Sequence, residues 1–174
     1  MKCHFEGTLK SNKSISIMKK QIFTLITLIV FGAGTAQTSE EAQVKQTIID
    51  FFDAFHKQDT VKLKSMAKGN INMQSISVNK EGKTRLDEND YYGFVKNIAG
   101  IPDDKTFEEK LLDFKIRIDG KMANAWTDYE FWFNGNFSHC GVNSFQLVKE
   151  EDDWKIIYLV DTRRREGCKV LSKG

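Results

Sequence analysis

The side chains best suited to chemistry lie on the last strands that the sequence predicts. His139 is on a long predicted strand, and a histidine, with an ordinary pKa of about 6.5, can exchange a proton at neutral pH. Asp161 lies near the end of the final predicted strand and offers a carboxylate for the same role. If the protein is an enzyme, we predict that His139 or Asp161 is its general base. A hydrogen-bonded structural histidine and an aspartate at the rim are the alternatives.

An aspartate and an arginine could form a binding group for an anion. Asp161 and Arg163 are two positions apart on one predicted strand, so we expect their side chains on the same face. An arginine held inside a cavity can bind a ligand carboxylate through its planar guanidinium. A structural ion pair at the rim is the competing interpretation. The candidate ligand-binding residues are Phe55, Tyr129, His139, Asp161, Thr162, Arg163 and Arg164.

The register of the last hairpin decides which of these side chains share a face. Pairing through the acidic loop 150–153 places His139 opposite Arg164, so His139, Thr162 and Arg164 are predicted on one side of the sheet. Adjacent strand residues point to opposite faces, so His139 and Cys140 cannot act together as base and thiol.

The sequence contains no motif for a metal or a cofactor. After the first 36 residues its histidines are His56 and His139, which are remote and lack HxxxH or HExxH spacing. No GxGxxG motif, phosphate loop or nucleophile elbow is present. We therefore predict neither a metal nor a cofactor. His56 is near the end of the first predicted helix, where we expect it to be exposed or to act as a favourable charge.

Composition limits the class of protein. The chain has 174 residues, 40% of them apolar and 29% charged, which is typical of one soluble globular domain. Residues 1–36 hold five of the 26 basic and one of the 24 acidic residues, which leaves a formal charge of −2 for the remainder. A slightly acidic, mixed surface argues against binding to nucleic acid.

The first 36 residues have the pattern of a secretory signal peptide. A lysine pair precedes the apolar run 22–31, and the small residues Gly34 and Ala36 follow it. The run is shorter than the roughly 20 apolar residues of a membrane span. We predict cleavage after Ala36, a single mature domain at 37–174, no stable membrane span after cleavage, and a periplasmic or secreted protein. A retained anchor is the alternative, and residues 1–17 are either an over-extended start or a long charged leader.

Cys140 and Cys168 are the thiols that remain after cleavage. An exported compartment permits a disulfide between them, but single cysteines also occur as small buried apolar residues. The sequence leaves both states open, because it does not give their distance in space.

Three helices are predicted in the first half of the mature chain. Apolar residues at three- and four-residue steps indicate an amphipathic helix up to about Lys57. Asp59 can cap a second, short helix. Thr84 and Asp87 fit a capping box before a third helix. The predicted buried residues of the first and third helices are Val44, Ile48, Phe51, Phe52, Phe55, Tyr91, Phe94, Val95 and Ile98, and the short second helix carries Val61, Leu63 and Met66.

The remainder is predicted as strands, which cover 71–78, 106–118, 121–133, 137–148 and Trp154 to about Arg163. The four long strands, joined by successive hairpins, specify an antiparallel meander. A two-residue loop at 119–120 sets Phe114 opposite Ala125. Trp126 and Trp132 fall on the outer face, where another surface, such as a second subunit, could cover them. The fold class is therefore α+β: a cone whose helices pack in the concave face of a curved antiparallel sheet.

The order of elements and several motifs resemble those of the nuclear transport factor 2-like superfamily. The motifs that carry the resemblance are FDAFHKQD at 52–59, followed by Leu63 and Met66, and WKIIYLVD at 154–161. HCGVN at 139–143 and DTRR at 161–164 are similar to an exported bacterial branch labelled lumazine-binding. The resemblance spans residues 39–168 and implies the cone fold. It implies no single chemistry, since the superfamily contains isomerases, cyclases, dehydratases and proteins without known activity.

Three functions follow as hypotheses. The first is an exported domain that binds a small molecule or a protein partner in its concave pocket without catalysis. Its basis is an excess of aromatic residues over paired catalytic groups, namely Phe51, Phe52, Phe55, Tyr91, Phe131 and Trp154. The second is an isomerase- or hydrolase-type enzyme with a general base in the pocket. The third is a dimeric interaction module that uses the outer sheet face.

Overall fold

The structure is a computed structural model that describes residues 39–168. The predicted signal peptide, its cleavage site and the question of the true start residue lie outside the described residues and stay predictions. Within the described range, no helix is long and apolar enough to cross a membrane.

Three helices form one layer. Helix α1 covers residues 39–56, α2 covers Thr60–Met66 and α3 covers Tyr91–Ala99. The predicted cap of α2 is confirmed, because Asp59 Oδ1 accepts a hydrogen bond of 2.9 Å from the Lys62 backbone N–H. The amide of Gln58 donates to the carbonyl oxygens of Ile98 and Ile101, at 2.9 Å each, and so ties the end of α1 to the end of α3.

Six strands form one curved, unclosed sheet in the order β2-β1-β6-β5-β4-β3. Their bounds are β1 Asn72–Val78, β2 Thr84–Asp90, β3 Phe107–Asp119, β4 Met122–Phe133, β5 Asn136–Glu150 and β6 Asp153–Arg164. The four long strands form the predicted antiparallel meander. Strand β1 pairs in parallel with β6, so the predicted antiparallel sheet also contains one parallel pair and is mixed.

The segment 84–90, predicted as the approach to a helix, is instead strand β2. Asn79 Oδ1 accepts from the backbone N–H groups of Glu81 and Lys83, at 3.1 and 2.9 Å, and Gly82 adopts a φ of 76°. This turn returns the chain along β1, whose backbone groups on that side would otherwise lack partners. The cap of α3 is Asp90, whose Oδ1 accepts from the Gly93 N–H at 2.9 Å.

The apolar face of α1 packs on the concave face of the sheet, as the periodicity predicts. Val44 and Ile48 are fully buried, as are the strand residues Ala123, Ala125 and Phe145. The two alanines leave room for the helix to lie close to β4. The β3–β4 turn falls at 120–121, one position later than predicted, so Ile116 rather than Phe114 opposes Ala125. Because the shift in pairing is two residues, the inward face keeps its predicted members.

On the outer face of the sheet, Trp132 is covered by its own chain. The Lys110 ammonium lies 4.7 Å from the centre of its ring, and Phe137 packs edge-on at 5.7 Å. Trp126 is 46% exposed. Of the two tryptophans expected to meet a second subunit, Trp126 alone has a large part of its surface free.

Candidate functional site

A cavity of about 230 Å³ lies between the helices and the concave face of the sheet. Five of the seven predicted ligand-binding residues line it, namely Phe55, Tyr129, His139, Asp161 and Arg163. Thr162 and Arg164 do not line this cavity. The Thr162 hydroxyl accepts from the Val142 backbone N–H at 3.1 Å, and Arg164 lies at a neighbouring groove.

A β-bulge explains why the predicted face of His139 is wrong. Close to the turn the β5–β6 pairing is as predicted, but Ile157 is an extra residue that shifts the register by one. Cys140 therefore opposes Arg164, and Asn143 opposes Asp161. A one-residue shift moves every following side chain to the other face. His139 consequently faces the cavity with Asp161 and Arg163, not with Thr162 and Arg164.

Tyr129 is held over a glycine by the pairing of β4 with β5. Gly141 opposes Tyr129, and a Cβ atom built there would lie 1.7 Å from the Thr162 carbonyl oxygen and 2.7 Å from Tyr129 Cε1. Only glycine fits this close approach. The Tyr129 hydroxyl lies 3.0 Å from the Thr162 carbonyl oxygen and 3.2 Å from Asp161 Oδ2, and it donates its proton to one of them.

Asp161 links this tyrosine to an arginine. The Arg163 Nε donates to Asp161 Oδ2 at 2.8 Å, which gives the ion pair that the two-residue spacing predicts. The Asp161 side chain is 14% exposed and the Arg163 side chain 55% exposed. The pair therefore runs from the cavity wall towards solvent, so the arginine can meet a ligand that enters from outside.

Glu109 and Asn143 form a hydrogen-bonded polar pair that lines the cavity, and neither was predicted as a site residue. Asn143 Nδ2 donates to Glu109 Oε1 at 2.6 Å, and Asn143 is buried. Residue alternation on β3 could have located Glu109, since it shares the inward row with the apolar Phe107 and Leu111. For Asn143 the sequence signal depended on the β5–β6 register, which the bulge conceals.

Burial raises the pKa of Glu109 to about 8. The nearby Asp161 carboxylate raises it further, whereas the hydrogen bond from Asn143 and the charge of Arg163 lower it. At neutral pH the cavity therefore contains a carboxylic acid that can donate a proton. Burial and the same carboxylates also raise the pKa of Tyr129, so its hydroxyl remains a donor.

The two histidines near the site have different roles. His56 Nε2 accepts from the Glu109 backbone N–H at 2.8 Å, so His56 is partly buried and not exposed as expected. Burial lowers the pKa of His56, in agreement with this acceptor role. His139 stacks on Phe131 with ring centres 5.0 Å apart. Burial and the positive charges of Arg163 and Arg165 lower its pKa, so it is a neutral base at pH 7.

An aromatic wall faces these polar groups. Phe94 on α3 stacks on Phe51 and Phe55 of α1, with ring centres 6.3 and 5.9 Å apart. Two other aromatic residues considered for ligand binding serve the core instead. Tyr91 is fully buried and donates to the Leu63 carbonyl oxygen at 2.6 Å, and Trp154 is buried away from the cavity lining.

Cys140 and Cys168 form a disulfide, with Cα atoms 5.8 Å apart, which decides between the two states that the sequence left open. The bond ties the segment after β6 back to β5. Over residues 39–168, no group of three or more His, Cys, Asp or Glu side chains could hold a metal ion. The chemistry that the cavity residues offer is hydrogen bonding, charge pairing and proton transfer.

Comparisons with known proteins add evidence on the fold. No protein-family model matches the sequence, and no curated protein matches it. Solved structures do match. A protein of unknown function from Mycobacterium tuberculosis is 12% identical with a TM-score of 0.60, over 76% of each chain.

Two further matches carry the name of the superfamily. A nuclear transport factor 2-like protein of unknown function from Silicibacter pomeroyi is 15% identical, with a TM-score of 0.54 over 74% of this chain and 98% of that one. A member from Streptomyces avermitilis, provisionally named a dehydratase, is 14% identical, with a TM-score of 0.55 over 74% of this chain and 98% of that one. The lumazine-binding label stays a prediction. This chain has the α+β cone fold of the nuclear transport factor 2-like superfamily.

Proposed function

We propose that this protein is an exported domain that binds a small molecule in the cavity between α1, α3 and the sheet. The observation that carries the proposal is a cavity with two unlike walls. Stacked phenylalanine rings form one wall, and hydrogen-bonded polar groups from four strands form the other. Apolar walls with a few placed polar groups are typical of small-molecule sites.

The polar wall supports this interpretation because polar side chains are not needed to stabilise the hydrophobic core. Placing a carboxyl, an amide and a phenol in the interior costs free energy unless each has a partner. Glu109, Asn143 and Tyr129 have partners within the chain, yet they still line open space. A purely structural core would have replaced them with apolar side chains, as it does at the Ala123 and Ala125 positions.

The test is whether a bulky side chain in the cavity prevents binding. Met73 is partly buried and lines the cavity, so Met73→Trp should fill it. Met122 is 55% exposed and does not line the cavity, so Met122→Trp is the matched control. Native mass spectrometry of protein purified from the compartment in which it accumulates should show a bound small molecule in the wild type and in Met122→Trp only. Equal retention by all three proteins would contradict the proposal.

Acid–base catalysis is a second candidate, favoured by one observation. The Glu109 carboxyl, with its pKa raised to about 8, lies in one cavity with His139, a neutral base, and Asp161. An isomerase, hydrolase or dehydratase needs one group that donates a proton and another that accepts one. In this reaction Glu109 would donate the proton and His139 or Asp161 would accept one. If so, Glu109→Gln should retain the bound molecule but lose turnover of it, whereas equal turnover would exclude this role.

Export and dimerisation are proposals that rest on the sequence. Export predicts that the accumulated protein begins at Gln37, which N-terminal sequencing would show. A homodimer through the outer sheet face should be weakened by Trp126→Ser, because this side chain is 46% exposed there. Gel filtration of the wild type at monomer size would contradict the dimer.

A further inference from the structure

A groove of about 690 Å³ adjoins the cavity. His139 and Arg163 line both spaces, so the two meet at these side chains. The groove lies between the turn that joins β1 to β2 and the end of β6. A molecule in the cavity can therefore extend past His139 and Arg163 into the groove.

The groove is strongly basic. Its charged lining consists of Lys80, Arg163, Arg164 and Arg165 against the single acid Glu166. Among the residues that the structure describes, no acidic side chain forms an ion pair with Lys80, Arg164 or Arg165. The mature chain as a whole is slightly acidic, so this concentration of unpaired cations is local. Such a patch attracts an anion.

Arg163 can bind such an anion without leaving Asp161. A guanidinium has five N–H donors in one plane, and a single carboxylate engages at most two of them. The Nε donor is used by Asp161, and 55% of the side chain is exposed. The guanidinium thus has donors for a second carboxylate at the point where cavity and groove meet. Burial lowers the pKa of His139, and the positive charges of Arg163 and Arg165 lower it further.

The backbone segments that carry these cations are held by local structure. Lys80 lies in the turn that Asn79 closes through its two hydrogen bonds. Arg164 ends β6, and the disulfide from Cys168 to Cys140 fastens the segment that follows it. Charged side chains on a fixed backbone lose less conformational entropy on binding than side chains on a free terminus.

We propose that the ligand is a small amphipathic acid, with an apolar body in the cavity and a carboxylate at Arg163 facing the groove. The inference rests on the proposed function. Since a cavity of roughly 150 Å³ can hold benzene, the 230 Å³ found here gives room for one ring with a short side chain. Phe55, Phe94 and Phe131 would contact the ring, and Lys80 and Arg165 would add long-range attraction for the carboxylate.

The probe is 3-phenylpropionate, compared with its neutral amide, in titrations of the protein with its disulfide intact. The acid should bind about tenfold more tightly than the amide at low ionic strength, and added salt should reduce the difference. The double variant Lys80→Gln/Arg165→Gln keeps the Asp161–Arg163 pair and should lose only the part of this preference that added salt also removes, with amide binding unchanged. Lys115→Gln/Arg117→Gln removes the same charges from exposed positions of β3 and is the matched control.

The outcomes separate this inference from the proposed function. Equal binding of acid and amide would overturn the amphipathic acid and leave the cavity as a binding site. A groove variant that binds the acid as the wild type does would overturn the attraction assigned to Lys80 and Arg165. If neither compound binds, and Met73→Trp retains the same molecules as the wild type, both proposals fall. Circular dichroism of each variant shows whether the fold is kept.

Discussion

The two ends of the concave face differ although the same strands form them. At the closed end, Ala123, Ala125, Phe145 and Leu147 are fully buried against α1. At the open end, Glu109, Tyr129, Asn143 and Asp161 line the cavity. These two sets of residues are called the closed end and the open end.

The difference separates the part of the sheet that stabilises the fold from the part that carries groups able to bind a ligand or transfer a proton. β4 and β5 run through both ends. On each strand the inward residues are apolar at the closed end and polar at the open end. Apolar burial at the closed end stabilises the fold without specific partners. The open end instead depends on hydrogen bonds and one ion pair, and it leaves a space.

The largest effect is expected from Phe145→Ala at the closed end. Phe145 is fully buried, with ring centres 5.8 Å from Phe51 and 6.1 Å from Phe52, so the substitution should cost about 3–5 kcal/mol of unfolding free energy. Phe131→Ala at the open end removes a partly buried ring and should cost less than about 1.5 kcal/mol. Chemical denaturation measures both. Equal costs would show that the open end is packed like the core.

Loss of the disulfide is expected to be the next largest effect. Cys140 and Cys168 are 28 residues apart, and a loop of that length predicts a loss of about 3 kcal/mol in a Cys140→Ala/Cys168→Ala variant. Because the bond fastens the groove segment, affinity for 3-phenylpropionate should fall as well. Reductant should change the wild type in the same direction and leave the double variant unaffected. A wild type insensitive to reductant would argue against this bond.

Gly141→Ala should be destabilising at the open end by at least about 1–3 kcal/mol, since its Cβ would overlap the Thr162 carbonyl oxygen. The variant should also displace Tyr129 from that oxygen. Gly100→Ala is the control, because its Cβ would lie an ordinary 3.5 Å from the nearest atom. The melting temperatures of the two variants distinguish the effect of the close contact at Gly141 from the general effect of replacing glycine by alanine. Similar melting temperatures would refute the tight contact.

The remaining effect is a pH dependence that Glu109 introduces. Its pKa rises from 4.5 to about 8 on folding, so the folded state holds the proton more tightly over that interval. The unfolding free energy should fall as pH rises from 4.5 to about 8. In Glu109→Gln this contribution is lost, so the variant gains stability relative to the wild type across the interval. His56 and His139, whose lowered pKa values act below about pH 6.5, affect both proteins alike and cancel. Parallel stability curves for the two proteins would contradict a buried, protonated Glu109.

Much of the fold could be predicted because it follows from periodicity and turns. The apolar stripe of α1 and the alternation of β3 and β4 locate the core, and the two-residue turns locate the hairpins. The segment 84–90 could not be assigned in this way, because its residues are polar throughout and its strand exists to pair with β1. Local capping signals at Thr84 and Asp87 were outweighed by that tertiary pairing.

The site was harder to predict than the fold, for a geometric reason. Tyr129, Asp161 and Arg163 follow from strand alternation alone, and the structure brings them together. The face of His139 depends on a bulge at Ile157 that the sequence does not mark. Glu109 was overlooked because a charged residue on a strand suggests the solvent side. The contribution of Lys80 depends on the pairing of β1 with β6, in which partner residues are 86 positions apart in the chain.

Ligands should bind at the open end and leave the closed end unchanged. Backbone amide NMR spectra during a titration with 3-phenylpropionate test this most directly. Shifts should concentrate at Gly141, Asn143 and Arg163, together with the Asn143 side-chain amide, while Ala123 and Ala125 stay in place. Shifts confined to the outer face around Trp126, or spread equally over both ends, would contradict the account.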